Sequence, residues 1–257
     1  MTATATYDNK NVGARSVAYT GVTLTGAEAG NYSISDTGTG AGTITQREIS
    51  VAFGDISKTY DGLTTSDAIG KRTFTNVVDA DAEKVDVTAT ATYDKKDAGD
   101  RSVAYTTIAL TGDEADNYSL ANTTASSTGT INKREISVAF GDISKTYDGL
   151  TTSDTIGERT FTNVVEADAN KVDVTATATY DKKDAGNRSV AYTGVTLTGA
   201  EAGNYSIADT GTGKGTITPK VLTATFADIS KTYDGTTSAT AGEGTLDGVV
   251  DGVYRQP

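Results

Sequence analysis

The 257-residue sequence contains no cysteine, no histidine and no tryptophan, and only two prolines and one methionine. Without cysteine no disulfide can form. Without either cysteine or histidine, the thiolate and imidazole ligands of zinc and iron sites are missing, as are the Ser-His-Asp and Cys-His relays of nucleophilic enzymes. The lack of cysteine does not by itself reveal the compartment, since it fits both bacterial surface arrays and cytosolic proteins. Excess positive charge is absent too: the net charge is −12. Nucleic-acid binding needs clustered Lys and Arg to neutralise phosphates, and no such cluster occurs. The acidity serves solubility and offers carboxylates to hard cations. There is no run of 18 apolar residues to cross a membrane, and the opening Met1-Thr2-Ala3-Thr4-Ala5-Thr6 lacks the charged and apolar regions of a signal peptide. Met1 reads as an added start, and the export signal of an exported parent is expected outside this segment.

What is abundant is threonine, glycine (28 residues) and internal repetition. Lys-Thr-Tyr-Asp-Gly occurs at 58–62, 145–149 and 231–235, so the spacings are 87 and 86 residues. Thr-Ala-Thr-Tyr-Asp ends at Asp8, Asp94 and Asp181; Arg-Ser-Val-Ala-Tyr begins at Arg15, Arg101 and Arg188; Asn-Tyr-Ser begins at Asn31, Asn117 and Asn204. The one-residue drift lies in the Ser/Thr/Asn-rich stretch Leu120 to Ser127, where an insertion is tolerated. Pro219 falls where the other copies have Gln46 and Lys133, and a proline is accommodated at the start of a strand or in a linker. Boundaries placed there divide the chain into the back half of a repeat (1–46), two complete repeats (47–132 and 133–218) and the front half of another (219–257).

Glu48 to Phe53 alternates polar and apolar residues with period two, as a half-buried strand does. Further strands are expected at 57–60, 72–78, 85–93, 101–110, 118–120 and 129–132. Asp61-Gly62, Asp79-Ala80-Asp81 and Asp97-Ala98-Gly99-Asp100 mark turns. Seven short strands in about 86 residues predict an all-β fold of tandem immunoglobulin-like antiparallel β-sandwiches. The expected core is Ile49, Val51, Phe53, Phe74, Val85, Val87, Tyr93, Val103, Tyr105, Ile108, Leu110 and Tyr118.

Lys58-Thr59-Tyr60-Asp61-Gly62-Leu63-Thr64-Thr65, and more closely Lys231-Thr232-Tyr233-Asp234-Gly235-Thr236-Thr237, resemble the YDG and MBG ("mostly beta with glycine") repeats of large bacterial surface proteins. Leu197 to Ser206 and Gly215-Thr216-Ile217-Thr218 are similar to that family's later motifs, so the resemblance covers essentially the whole chain. It implies an extracellular setting, on the bacterial surface or in a secreted matrix, and repeats that act as stalks in filamentous-haemagglutinin-like adhesins and biofilm proteins.

No catalytic residue, cofactor site or metal site is assigned from the sequence, and the chain is not expected to be an enzyme. Asp79, Asp81 and Glu83, matched by Glu166, Asp168 and Asn170, space oxygen ligands as calcium loops do. The stretch lacks the glycine and distal glutamate of an EF-hand, and a solvated hairpin turn explains it as well. Tyr60-Asp61-Gly62 reads either as a sugar-stacking patch or as a buried tyrosine locking a turn. Lys58, Asn117 and Asp61 are the residue types of an intramolecular isopeptide bond. Asn31, Asn117, Asn122, Asn187 and Asn204 begin Asn-x-Ser/Thr triplets, which chance explains in so threonine-rich a chain. Carboxylate pairs of the kind glycosidases use are guaranteed by 34 acidic residues. The expected function is a stalk or fibre segment that spaces and bears tension. Its expected partners are neighbouring repeats, with glycans or further copies as alternatives. The competing functions are a multivalent glycan- or receptor-binding module, and a filament subunit whose half repeats are completed between chains by strand addition.

Overall fold

A computed structural model describes residues 1–251, and the last six residues of the 219–257 segment lie outside it. The described chain is all-β, with helical geometry confined to short 3-10 turns. No helix is long and apolar enough to cross a membrane. Two compact units are present: one comprises Met1–Thr59 and Leu63–Asn132, the other Lys133 onward together with Tyr60–Gly62.

In the first unit, β1 (Thr2–Tyr7), β2 (Gly13–Thr23) and β3 (Thr37–Ile44) form an antiparallel sheet in that order. The complete repeat contributes β4 (Arg47–Phe53), β5 (Ile56–Thr59), β6 (Thr65–Ser66), β7 (Arg72–Thr75), β8 (Asp86–Tyr93), β9 (Gly99–Thr111), β10 (Tyr118–Leu120) and β11 (Ala125–Asn132). These make a small sheet, β10-β4-β7, and a larger one, β5-β11-β9-β8-β6. Period-two alternation puts Ile49, Val51 and Phe53 of β4 inside, with Val87, Ala91 and Tyr93 of β8 and Val103 and Tyr105 of β9. Phe53 stacks on Tyr105 with centroids 4.0 Å apart.

The second unit repeats this plan with β12 (Arg134–Glu135), β13 (Ser137–Phe140), β14 (Ile143–Thr146), β15 (Thr152–Ser153), β16 (Arg159–Thr162), β17 (Asp173–Tyr180), β18 (Gly186–Thr198), β19 (Tyr205–Ser206) and β20 (Thr210–Thr218). Its five-stranded sheet runs β14-β20-β18-β17-β15. Beyond it, β21 (Thr223–Phe226) pairs with β22 (Gly244–Asp247) alone.

The expected sandwich of short strands is present, with one difference in its ladders. Most are antiparallel, but β4 pairs with β10 and β5 with β11 in parallel, as do β12 with β19 and β14 with β20 in the second unit. Turn signals report hairpins, whereas these parallel pairs join segments tens of residues apart, so no local signal reveals them. The same reason explains the core. Ten of the twelve expected residues are buried and Phe74 and Leu110 are partly buried. Ile56 and Ile131, which the sequence reading passed over, are buried on β5 and β11.

Among the positions at which the two complete copies differ, one lies at a bulge. The β8–β9 ladder is irregular between Thr88 and Thr90, and opposite it Thr107 takes φ 51°. In the second unit the matching residue is Gly194, at φ 61°. A left-handed residue at a bulge suits glycine, and a β-branched side chain there is strained. Thr107 recovers part of the cost by bonding to Thr90 Oγ1 at 2.9 Å and to the Thr106 carbonyl at 2.7 Å. Thr107→Gly is expected to raise the stability of the first unit by about 0.5–1 kcal/mol, the relief of strain exceeding the added freedom of the unfolded chain. A urea melt of the variant checks this, and a lower midpoint refutes it.

Candidate functional site

The first two Lys-Thr-Tyr-Asp-Gly motifs begin in β5 and β14, and all three turn at their glycine, which has φ 80° at Gly62, 80° at Gly149 and 71° at Gly235. The turn closes around the lysine ammonium. Lys58 Nζ donates to the carbonyls of Leu63 (2.7 Å) and Thr65 (2.8 Å). Lys145 does the same to Leu150 (2.9 Å) and Thr152 (2.7 Å), and Lys231 to Thr236 and Ser238 (both 2.7 Å). Lys145 also donates to Asp148 Oδ1 at 2.7 Å and Lys231 to Asp234 Oδ1 at 2.9 Å. These bonds hold both aspartates below the usual carboxylate range. The lysine stem passes over an aromatic face, with Nζ 5.6 Å from the Tyr93 centroid for Lys58 and from the Tyr180 centroid for Lys145.

The motif's tyrosine is thereby directed away from its own turn. Tyr60 belongs to the second unit and is fully buried there. Its hydroxyl donates to Asp168 Oδ2 at 2.8 Å, and the Tyr205 hydroxyl donates to the same oxygen at 2.8 Å. The two rings meet edge to face at 5.4 Å. Arg134 Nη1 donates to the Tyr60 carbonyl at 3.4 Å, and the Tyr60 hydroxyl lies 3.5 Å from Glu201 Oε2. Asp168 ends the 3-10 turn Glu166–Asp168 and is itself buried, with Lys171 Nζ 3.7 Å from its other oxygen. Burial, then the bond to Asp168, pushes Tyr205 well above the ordinary tyrosine range.

The first unit contains a matching receptacle. Tyr118 donates to Asp81 Oδ2 at 2.7 Å, and Asp81 ends the 3-10 turn Asp79–Asp81. Burial and this bond raise Tyr118 as well. Here Lys10 approaches, 2.6 Å from Glu114 Oε1 and 3.9 Å from Asp81. A pocket of about 340 Å³ lies above the pair, lined among others by Lys10, Arg47, Val78, Asp81, Asn117 and Tyr118.

Asp79, Asp81 and Glu83 therefore form neither a calcium loop nor a solvated hairpin. Asp81 turns inward as the acceptor of a tyrosine, while Asp79 and Glu83 stay exposed. Among the described residues no three such side chains converge where a metal could sit. Tyr60 is a packed residue, not a sugar platform. Asn117 is engaged with Glu114, Asn11 and the Val12 amide, not with Lys58, so the isopeptide trio is not assembled. Asn204 is buried and bonded to Glu201, and Asn122 bonds to Val51. The sequence places Asp168 among oxygen ligands and not as the acceptor of two tyrosines, although a signal for that role is there. Across the two complete copies Asp79 becomes Glu166 and Glu83 becomes Asn170, but Asp81 remains aspartate at Asp168.

The family model described as YDG domain matches residues 1–40, 45–126 and 132–212. No match was found among curated proteins.

The shared carboxylate makes Tyr60 separable into ring and hydroxyl. Tyr60→Phe is expected to destabilise the second unit by about 1–3 kcal/mol, the cost of leaving a buried acceptor short of a donor. Tyr60→Ala is expected to cost about 3–5 kcal/mol, because the ring's packing goes too. Equal losses in chemical denaturation would refute the packing role. A group whose folded pKa is raised contributes stability that is complete below its unfolded value, near 10 for tyrosine, and is lost as pH rises beyond it. Stability is therefore expected to fall above pH 10, and less steeply in Tyr205→Phe. An unchanged slope would contradict the assignment.

Proposed function

The chain belongs to the YDG-domain family, and from that premise we propose that it is a structural segment of an extracellular bacterial stalk or fibre, acting by spacing and by bearing tension rather than by catalysis. The observation that supports this reading is the use made of the motif itself. At 58–62 its lysine and glycine build a turn, and its tyrosine, Tyr60, is spent inside a protein core on Asp168, while Tyr147 is half-buried and Tyr233 exposed. In this copy the motif's lysine, glycine and tyrosine are thus committed to cohesion. A pull that draws Tyr60 from Asp168 has to separate a T-shaped ring pair and strand a buried carboxylate in the same movement, so resistance is concentrated at one point. Repeats arranged in series give a reach that scales with their number and a stability that sums over units.

Single-molecule pulling on the whole chain tests the proposal. Discrete unfolding events are expected, each complete repeat releasing roughly 300 Å of chain at about 3.5 Å per residue. Tyr60→Ala is expected to lower the force of one event and leave another unchanged. Featureless extension at low force would refute a load-bearing role. Glycan-array binding that grows with repeat number would favour the multivalent-binding alternative instead.

A further inference from the structure

Three residues of the first complete repeat are absent from the first unit. Tyr60, Asp61 and Gly62 belong to the second, while Thr59 before them and Leu63 after them belong to the first. The chain therefore passes from one unit to the other and back within five residues, and crosses once more at Asn132–Lys133. Connection in series needs only the last of these crossings.

Both ends of this excursion are held in the first unit. Thr59 closes β5 opposite Asn132 of β11. On the return side the Tyr93 amide donates to the Thr64 carbonyl at 2.8 Å, and Thr65 pairs with Thr92. Lys58 joins the outgoing strand to the returning one through the Leu63 and Thr65 carbonyls, and Gly62 makes the reversal at φ 80°. The apex is held in the second unit. Tyr60 gives its hydroxyl to Asp168 and the edge-to-face contact of its ring to Tyr205. Its carbonyl accepts from Arg134, which Asn163 orients by accepting from Nε at its carbonyl (2.7 Å) and from Nη2 at Oδ1 (2.6 Å). Gly62 lies so close to Val165 that a Cβ there would meet Val165 Cγ1 at 3.2 Å. The second unit thus buries completely a tyrosine that strands of the first hold in position.

That division makes the stability of one unit depend on the other. While the first unit is folded, Tyr60 sits at the tip of a short turn closed at both ends, which keeps its effective concentration at Asp168 high. If the first unit unfolds, Tyr60 is tethered to the second only through residues 63–132, and seating it then means closing a loop of roughly 70 disordered residues. We propose that the Tyr60–Gly62 turn is a strap that couples the folding of the two complete repeats, the second unit reaching its full stability only while the first is folded. Coupling free energies are reciprocal, so a folded second unit stabilises the first by the same factor. Lys58 is the positioning residue of the strap, since it closes the turn from the first unit and acts on Asp168 through Tyr60. The coupling is a property of equilibrium folding and is independent of any role under load or in binding.

Thiol trapping in the whole chain tests the strap, because native cysteine is absent and each unit offers a buried alanine at the matching place, Ala91 on β8 and Ala178 on β17. Ala91→Cys reports opening of the first unit and Ala178→Cys opening of the second. Ile49→Asp and Val103→Asp together put two carboxylates into the core of the first unit and are expected to unfold it, so that Ala91→Cys reacts at the rate of an unstructured chain. With Tyr60 intact, the pair is expected to speed Ala178→Cys labelling by roughly tenfold or more. In a Tyr60→Ala chain, where labelling is already faster, the pair is expected to change it by less than about twofold. Labelling of Ala178→Cys that ignores an unfolded first unit would show independent repeats and overturn the proposal. An equal acceleration with and without Tyr60 would carry the coupling by another route and overturn the strap. Lys58→Met perturbs the turn without placing a charge in either core. It is expected to speed Ala178→Cys labelling severalfold, and to have no such effect in Tyr60→Ala. Persistence of the effect without Tyr60 would contradict the positioning role of Lys58.

Discussion

A single carboxylate oxygen receiving two tyrosine hydroxyls is the interaction on which the rest of the second unit depends. Asp168 Oδ2 is shared by Tyr60 and Tyr205, and each partner explains something the others need. Burying an ionised carboxylate is expensive unless it is hydrogen-bonded. Burying a tyrosine is favourable for the ring and costly for an unmet hydroxyl. Bringing the three together removes both costs, and the edge-to-face contact of the rings adds packing. The 3-10 turn Glu166–Asp168 exists in this arrangement to aim one carboxylate inward, its backbone closed by the Asp168 amide on the Val165 carbonyl at 2.8 Å.

The motif that names the family divides its labour along the same lines. Lysine, aspartate and glycine act locally, shaping a turn whose bonds lie within eight residues of one another. Tyrosine acts at long range, on a residue 108 positions away. The lysine–carbonyl bonds recur at all three copies with nearly the same lengths, whereas the fate of the tyrosine depends on what is near it. A short recurring motif can therefore hold a fixed shape and still serve different surroundings.

The sequence revealed the period, the strand positions and most of the core, because these follow from alternation and turn chemistry, which are local. Ile49, Val51 and Phe53 could be read from one six-residue stretch. Tyr60 could be narrowed to a packed residue or a ligand platform, but its partner could not be named, since hydrogen bonding over 108 positions leaves no spacing rule. Ile56 and Ile131 escape a local reading for a related reason: they sit on a parallel ladder whose paired residues, such as Ile56 with Gly129 and Lys58 with Ile131, lie about 73 positions apart in sequence. The acidic turn was legible as a turn and misjudged as solvated. Charge normally marks exposure, and only the tyrosine above it makes Asp81 an inward-facing acceptor.

The lysine at the head of the motif has a thermodynamic consequence of its own. Lys231 holds the Thr236 and Ser238 carbonyls and Asp234 even though the neighbouring Tyr233 is exposed. The loop thus holds its shape without support from its tyrosine. Ordering a flexible segment on contact consumes part of the interaction energy, and a segment already rigid keeps it. In this repeat an ammonium surrounded by carbonyls serves as an internal scaffold, so that the cost of entropy is met when each turn folds.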